Sequence, residues 1–184
     1  FVLITRGPLI PAISRLNREQ AAALMVLGQA MESSAGNPAL AGTIRGEFFY
    51  DPFVAGNRAA HANRFYEILQ GLPDMNYYLL NTGGIGVLAP SRGDLEESAD
   101  SRYRDIGLQD TMAILDSLLR GGLEDWVDSP TGFQVPGSVR AVDDIYFHPE
   151  KLFSDSEFEE NQNGLNLVRR EAIEKVGGEL HPAI

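Results

Sequence analysis

Two runs of five residues constrain this chain most. FVLIT (1–5) and YYLLN (77–81) are apolar, and each runs within a few residues into glycine. Each is too short for a core helix and reads as a buried strand, the second over Asn76–Asn81. Helix-length stretches lie between and after them. That alternation argues for an α/β domain, with helices layered on a sheet. At 184 residues and 43% hydrophobic content, the chain is long enough for one well-packed core.

The helical segments announce their own starts. Asn17 caps a helix over 18–33, with Gln20 at the capping-box position and apolar residues almost all round. Gly36, Asn37 and Pro38 close it. Phe48, Phe49 and Tyr50 read as a short strand before Asp51-Pro52. Asn57 caps a second helix to about Leu69, whose Ala62, Phe65, Tyr66 and Leu69 fall on one stripe. A third helix covers 106–119, with Leu108, Met112, Leu115 and Leu119 on one face, and Gly121-Gly122 ends it. Phe133–Val135 reads as a short strand. Asp155 or Ser156 caps a last, charged helix to about Val176, with a kink expected at Asn163-Gly164. The stretch from Gly83 to Arg104 reads as one long loop. Its acidic part, 87–101, is expected to be mobile.

Charge and composition exclude several classes. The net charge of −11 disfavours a nucleic-acid surface, which needs a basic face. No apolar run approaches the roughly 20 residues that span a bilayer. With no cysteine, the chain has no disulfide, thiol nucleophile or zinc–thiolate site. Its three histidines, His61, His148 and His181, show no metal-ligand spacing and read as structural or exposed. YYLLNTGGIG has the look of a strand entering a phosphate loop. It lacks the Lys-Ser or Lys-Thr pair that would meet phosphates and magnesium.

Four stretches stand in an order that resembles the C-terminal half of the ATP-dependent phosphoenolpyruvate carboxykinases. They are VLIT…PAISRLNREQAAALMVLGQAMESSAG, FFYDPF, YYLLNTGG and RDIGLQDTMAILDSLLRGGL. The chain departs from that family in places. Gly84 stands where the family has Trp, Asn37-Pro38 replaces a Thr-Glu pair, and an extra stretch of about 87–101 follows the Gly turn. The family's phosphate loop and metal ligands lie N-terminal to the matched region, so the chain is read as a C-terminal fragment of a longer, divergent protein forming one domain.

The resemblance implies a mixed sheet with packed helices and an ATP site. Arg15 would reach the transferring phosphoryl group, where a guanidinium fork binds phosphate oxygens in pairs. Read without the family, Arg15 is a surface arginine near a helix start. Asn81, Thr82, Gly83 and Gly84 would form a tight turn beneath the nucleotide, or else an ordinary strand-to-loop turn. Arg104, Ile106, Gly107 and Thr111 match the stretch that holds adenine in the family. Strict alignment puts Asp105 at the base-stacking position, with Arg102 and Arg104 beside it. The bland alternative is that this stretch is a loop entering a helix.

The expected function is the nucleotide-binding part of a carboxykinase-like phosphotransferase, cytoplasmic and working with the upstream part of the same polypeptide. Magnesium or manganese would be held by that upstream part, and this chain alone would be inactive. The alternative is a non-catalytic module that senses nucleotide or binds protein. Neither nucleic acid nor membrane is expected as a partner. The acceptor substrate and the oligomeric state are left open.

Overall fold

The computed structural model describes residues 1–31, 44–46, 48–49, 53–86 and 102–184. Along the chain run β1 (Val2–Thr5), β2 (Ile13–Leu16), α1 (Arg18–Val26), β3 (Gln29–Met31), β4 (Ile44–Gly46) and α2 (Arg58–Gln70). Then follow β5 (Tyr77–Asn81), β6 (Gly84–Ile85), β7 (Arg104–Asp105), α3 (Leu108–Leu119), β8 (Trp126–Asp128), β9 (Gln134–Pro136) and α4 (Asp155–Val176). The readings at Glu32–Ser33, Gly36–Pro38, Tyr50–Pro52 and Val87–Ser101 fall outside the described residues.

FVLIT and YYLLN do pair. β1 and β5 run parallel, with Leu3 opposite Leu79, and the sheet order is β1-β5-β2-β9-β8. β2 runs antiparallel to β5, so the sheet is mixed. Side chains alternate across it. Leu3, Leu79 and Leu16 enter a core with Ala21, Ala22 and Leu24 of α1 and Tyr66 and Leu69 of α2. Ile13 and Leu80 enter a second core on the opposite face, with Ile114 of α3, Val135 and Phe147. A third cluster joins Met25, Val26, Ala59, Ala62 and Val176, where α4 packs near α1 and α2. On β4, a side chain at Gly46 would come 3.0 Å from the Ala172 Cβ, so only glycine allows α4 to lie this close.

The helix starts are where local chemistry places them. The Gln20 N–H donates to Asn17 Oδ1 at 2.7 Å, and the Asn17 N–H donates to Gln20 Oε1 at 3.0 Å. Such a cap stabilises a helix by about 1 kcal/mol. Asn57 caps α2 through the Ala60 N–H.

Several expectations are corrected. α1 ends at Val26 rather than Ser33: Leu27 caps it, Gly28 follows, and residues 29–31 pair with β4. Glycine is a poor helix former, and strand pairing overrides the apolar pattern there. Phe48 and Phe49 lie outside any strand. FVLIT is half-buried rather than buried, because β1 is an edge strand among the described residues. Most of the stripe on α3 faces outward, Leu108 being 79% exposed, Met112 58% and Leu119 84%, while Leu115 packs against the second core. The helix buries Ile114 instead, on the side that continues from the buried Ile106.

The cap of α4 is Ser154, and the helix runs without interruption past Gly164. Glu157 closes the capping box. Its carboxylate accepts from the Ser154 N–H at 2.9 Å and from Arg102 Nη1 at 2.9 Å. Bonds from the Ser154 backbone and hydroxyl, then from Arg102, hold its pKa down at about 2. A depressed carboxyl pKa gives stability that is full above the unfolded value and lost as pH falls through the folded one. Carbon-detected NMR titration of Glu157 is therefore expected to show a midpoint near 2, with the cap's support of the α4 N-terminus declining from the ordinary value of 4.5 down through that midpoint. A midpoint near 4.5, the ordinary value, would show that the box does not form in solution.

Candidate functional site

β6 and β7 fold the residues read as nucleotide-binding into one corner. Gly84 pairs with Asp105 and Ile85 with Arg104, and the Ile106 N–H donates to Gly83 O at 2.9 Å. Segments 81–86 and 102–111 thus touch. Gly107 then caps α3 without a side chain, its own N–H donating to Asp110 Oδ2 at 3.2 Å. Thr111 sits in the first helical turn, half-buried, with its N–H bonded to Gly107 O. The Ile106 side chain is buried.

Asn81 is a structural tie. It is fully buried, and its amide nitrogen donates to Gly7 O at 2.9 Å, Ile10 O at 2.7 Å and, more weakly, Gly84 O at 3.4 Å. Its Oδ1 accepts from the Gly83 N–H at 3.0 Å. Those bonds lock the β1–β2 connection to the glycine turn and turn the side chain away from solvent. The half-buried Thr82 N–H closes on Thr5 O.

Two residues that the sequence reading passed over complete the corner. A Cβ on Gly84 would lie 2.5 Å from the Tyr103 ring, so that ring occupies the place of any larger side chain at 84. A Cβ on Gly83 would lie 3.2 Å from Arg6 Cγ, so the stem of Arg6 covers the other glycine. The Tyr103 hydroxyl donates to Asp105 Oδ1 at 3.2 Å. Burial first, and then Asp105, push this phenol up to about 12, against the opposing charge of Arg6. The Tyr146 hydroxyl donates to Asp105 O at 3.0 Å. Burial raises its pKa, followed by the charges of Asp110, Asp143 and Asp105, while Arg104 acts the other way. Arg104 is exposed, and its Nη1 donates to Tyr103 O at 2.9 Å.

The corner therefore combines phenol rings, exposed guanidinium and a threonine hydroxyl with three nearby carboxylates. It suits a planar, uncharged heterocycle better than a phosphate, which Asp105, Asp110 and Asp143 would repel.

Arg15 stands elsewhere. It lies opposite Tyr78 and Gln134, while Asn81 is three residues further along β5. At roughly 3.3 Å per residue this is about 10 Å. Its register partner Tyr78 marks the sheet face that α3 covers further along, so Arg15 and Thr111 belong to the same side of the sheet. Arg15 is exposed, and its guanidinium has no ion-pair or hydrogen-bond partner among the described residues. Next to it Tyr78 and Trp126 stack, with ring centres 5.7 Å apart.

No three acids or histidines converge to hold a metal ion among the described residues. The histidines are dispersed: His148 bonds Glu150, His61 bonds the Ala55 carbonyl and His181 packs on Tyr66. A hollow of about 460 Å³ between Gly121–Asp125 and Pro136–Ser138 contains none of the residues read as nucleotide-binding. Among the described residues, no helix is long and apolar enough to cross a membrane. No protein-family model matches the chain, and a search of curated proteins finds no match.

Proposed function

We propose that the chain is the nucleotide-binding part of a carboxykinase-like phosphotransferase. The corner of Gly83, Gly84, Arg104 and Thr111 holds the base, and Arg15 meets the phosphates. The observation that carries this reading is the joining of the glycine turn to the 104–111 stretch, which brings the exposed Arg104 and the half-buried Thr111 to the corner where Tyr103 and Arg6 pack on the two glycines. Arg15, whose backbone lies about 10 Å along the sheet from Asn81 and whose guanidinium has no partner among the described residues, suits the far end of an extended nucleotide. ATP is the expected ligand. Among the described residues there is no metal cluster, and the glycine turn lacks the lysine of a phosphate loop, so this chain by itself is expected to bind but not to transfer phosphate.

Isothermal titration separates the two parts of the site. ATP is expected to bind the chain at about millimolar, near 4 kcal/mol. Arg15→Ala weakens ATP about tenfold, the loss of one charge-assisted hydrogen bond, and leaves adenosine unchanged. Thr111→Val weakens ATP and adenosine alike. Equal loss of both ligands on Arg15→Ala would remove Arg15 from the phosphate role. Adenosine binding indifferent to Thr111 would move the base elsewhere. Tight, magnesium-dependent ATP binding would reveal a phosphate site in this chain.

A further inference from the structure

Among the described residues, the open side of β1 carries one group of exposed apolar side chains. Val2 and Ile4 are 39% and 58% exposed, Phe1 48%, and Ile68 and Met75 flank them at 46% and 38%. Phe1 contacts Phe65 with ring centres 5.6 Å apart, and its amino group bonds Asn76 O beside Met75. A hollow of about 300 Å³ opens at the same edge, lined mostly by apolar atoms of Phe1, Leu3, Met25, Phe49, Phe65 and Ile68, with His61 and Arg64 also in its lining. Val2 and Ile4 stand on one face of β1 and the hollow on the other, so apolar surface borders the edge on both sides, as at an interaction surface.

The backbone adds a second, independent requirement. Phe1 O and Thr5 O accept from Tyr78 and Thr82, so residues 1, 3 and 5 turn their polar groups toward β5. By alternation, the N–H and C=O groups of Val2 and Ile4 point outward, where no described strand meets them. Natural edges are usually blunted by charge, proline or a bulge. Val2-Leu3-Ile4 has none of these.

We propose that this edge pairs with β1 of a second copy of the chain, antiparallel about a two-fold axis at Leu3. The register favours that occupant. It sets Val2 opposite Ile4 of the second copy and Ile4 opposite its Val2. Both are pairs of outward-facing residues, so all four outward groups are satisfied in hydrogen-bonded pairs. The exposed Val2 and Ile4 side chains then cover one another on one face. On the other face the two apolar hollows come side by side, with the Ile68 residues of the two α2 helices turned toward each other. Each copy carries a net charge of −11, so salt favours the pair.

Sedimentation velocity over a concentration series tests this. The chain is expected to form a reversible dimer that tightens with added salt. Ile4→Pro removes one outward N–H without touching the β1–β5 ladder, and Val2→Lys places a charge on the edge. Each is expected to weaken dimerisation at least about tenfold. Leu119→Lys, on the exposed stripe of α3, leaves it unchanged. If Ile4→Pro loses its cooperative thermal transition, Val2→Lys carries the same test. A chain that stays monomeric at every concentration overturns the proposal. So does a dimer that survives the edge substitutions, or one that is lost on Leu119→Lys.

Discussion

Asn81→Ala is expected to lower the free energy of unfolding by about 3 kcal/mol, near the top of the range for an unsatisfied buried polar group. The side chain is fully buried, with two short bonds to Gly7 O and Ile10 O, one from the Gly83 N–H and a longer one to Gly84 O. Alanine leaves those groups without a partner in a place water does not reach. The loss should appear in urea unfolding as a lower midpoint at unchanged slope. The thermal midpoint should fall by about 10 °C for a domain of this size. Asn81→Asp should be worse at neutral pH, because a carboxylate would face the carbonyls of Gly7 and Ile10 with nothing to donate. A loss below about 1 kcal/mol for alanine would mean that the turn rearranges to satisfy itself, and that the tie is weaker than its geometry.

Asn81 also marks how far the sequence could be read. Its place at the end of a strand before two glycines was legible. Its role was not, because the groups it satisfies come from Gly7 and Ile10, some seventy residues away. Features written locally were legible: Asn17 with Gln20, Asn57 at the start of α2, and the short apolar strands. Features decided by competition between faces were not. α3 carries apolar residues on more than one side, and periodicity alone does not say which side meets the core. The Ile106 N–H bond to Gly83 O fixes the entry to the helix, and Ile114 goes in while Leu108 and Leu119 stay out. FVLIT is apolar on both faces, so its sequence gives no sign of an edge position. Tyr103 and Arg6 were missed for a related reason. Each packs on the bare face of a glycine, and such a contact leaves no periodic or motif signal in either partner.

The glycine that closes the corner gives the other large effect. Gly86→Ala is expected to cost about 3 kcal/mol, combining about 1–2 for a left-handed backbone with about 1–3 for overpacking. Gly86 has φ +89°, and a Cβ there would stand 2.2 Å from the Arg102 carbonyl oxygen and 3.1 Å from Leu152 Cδ1. The first obstacle is backbone, so it moves only if the segment entering β7 moves. Gly121 provides the control. It also has positive φ, at +71°, with nothing within 4 Å of its Cβ position, so Gly121→Ala should carry the backbone cost alone. The difference between the two substitutions in urea unfolding isolates the contact with Arg102. Because that contact lies just before β7, its disruption should be local as well as global. Amide exchange in Gly86→Ala should quicken at Gly86 and Ile106, whose N–H groups bond Pro8 O and Gly83 O, before it quickens in β5. Adenosine affinity should fall with it, since Arg104 and Thr111 are held in place by the same clasp. Equal costs for Gly86→Ala and Gly121→Ala would mean that the chain around Arg102 yields freely and does not brace the corner.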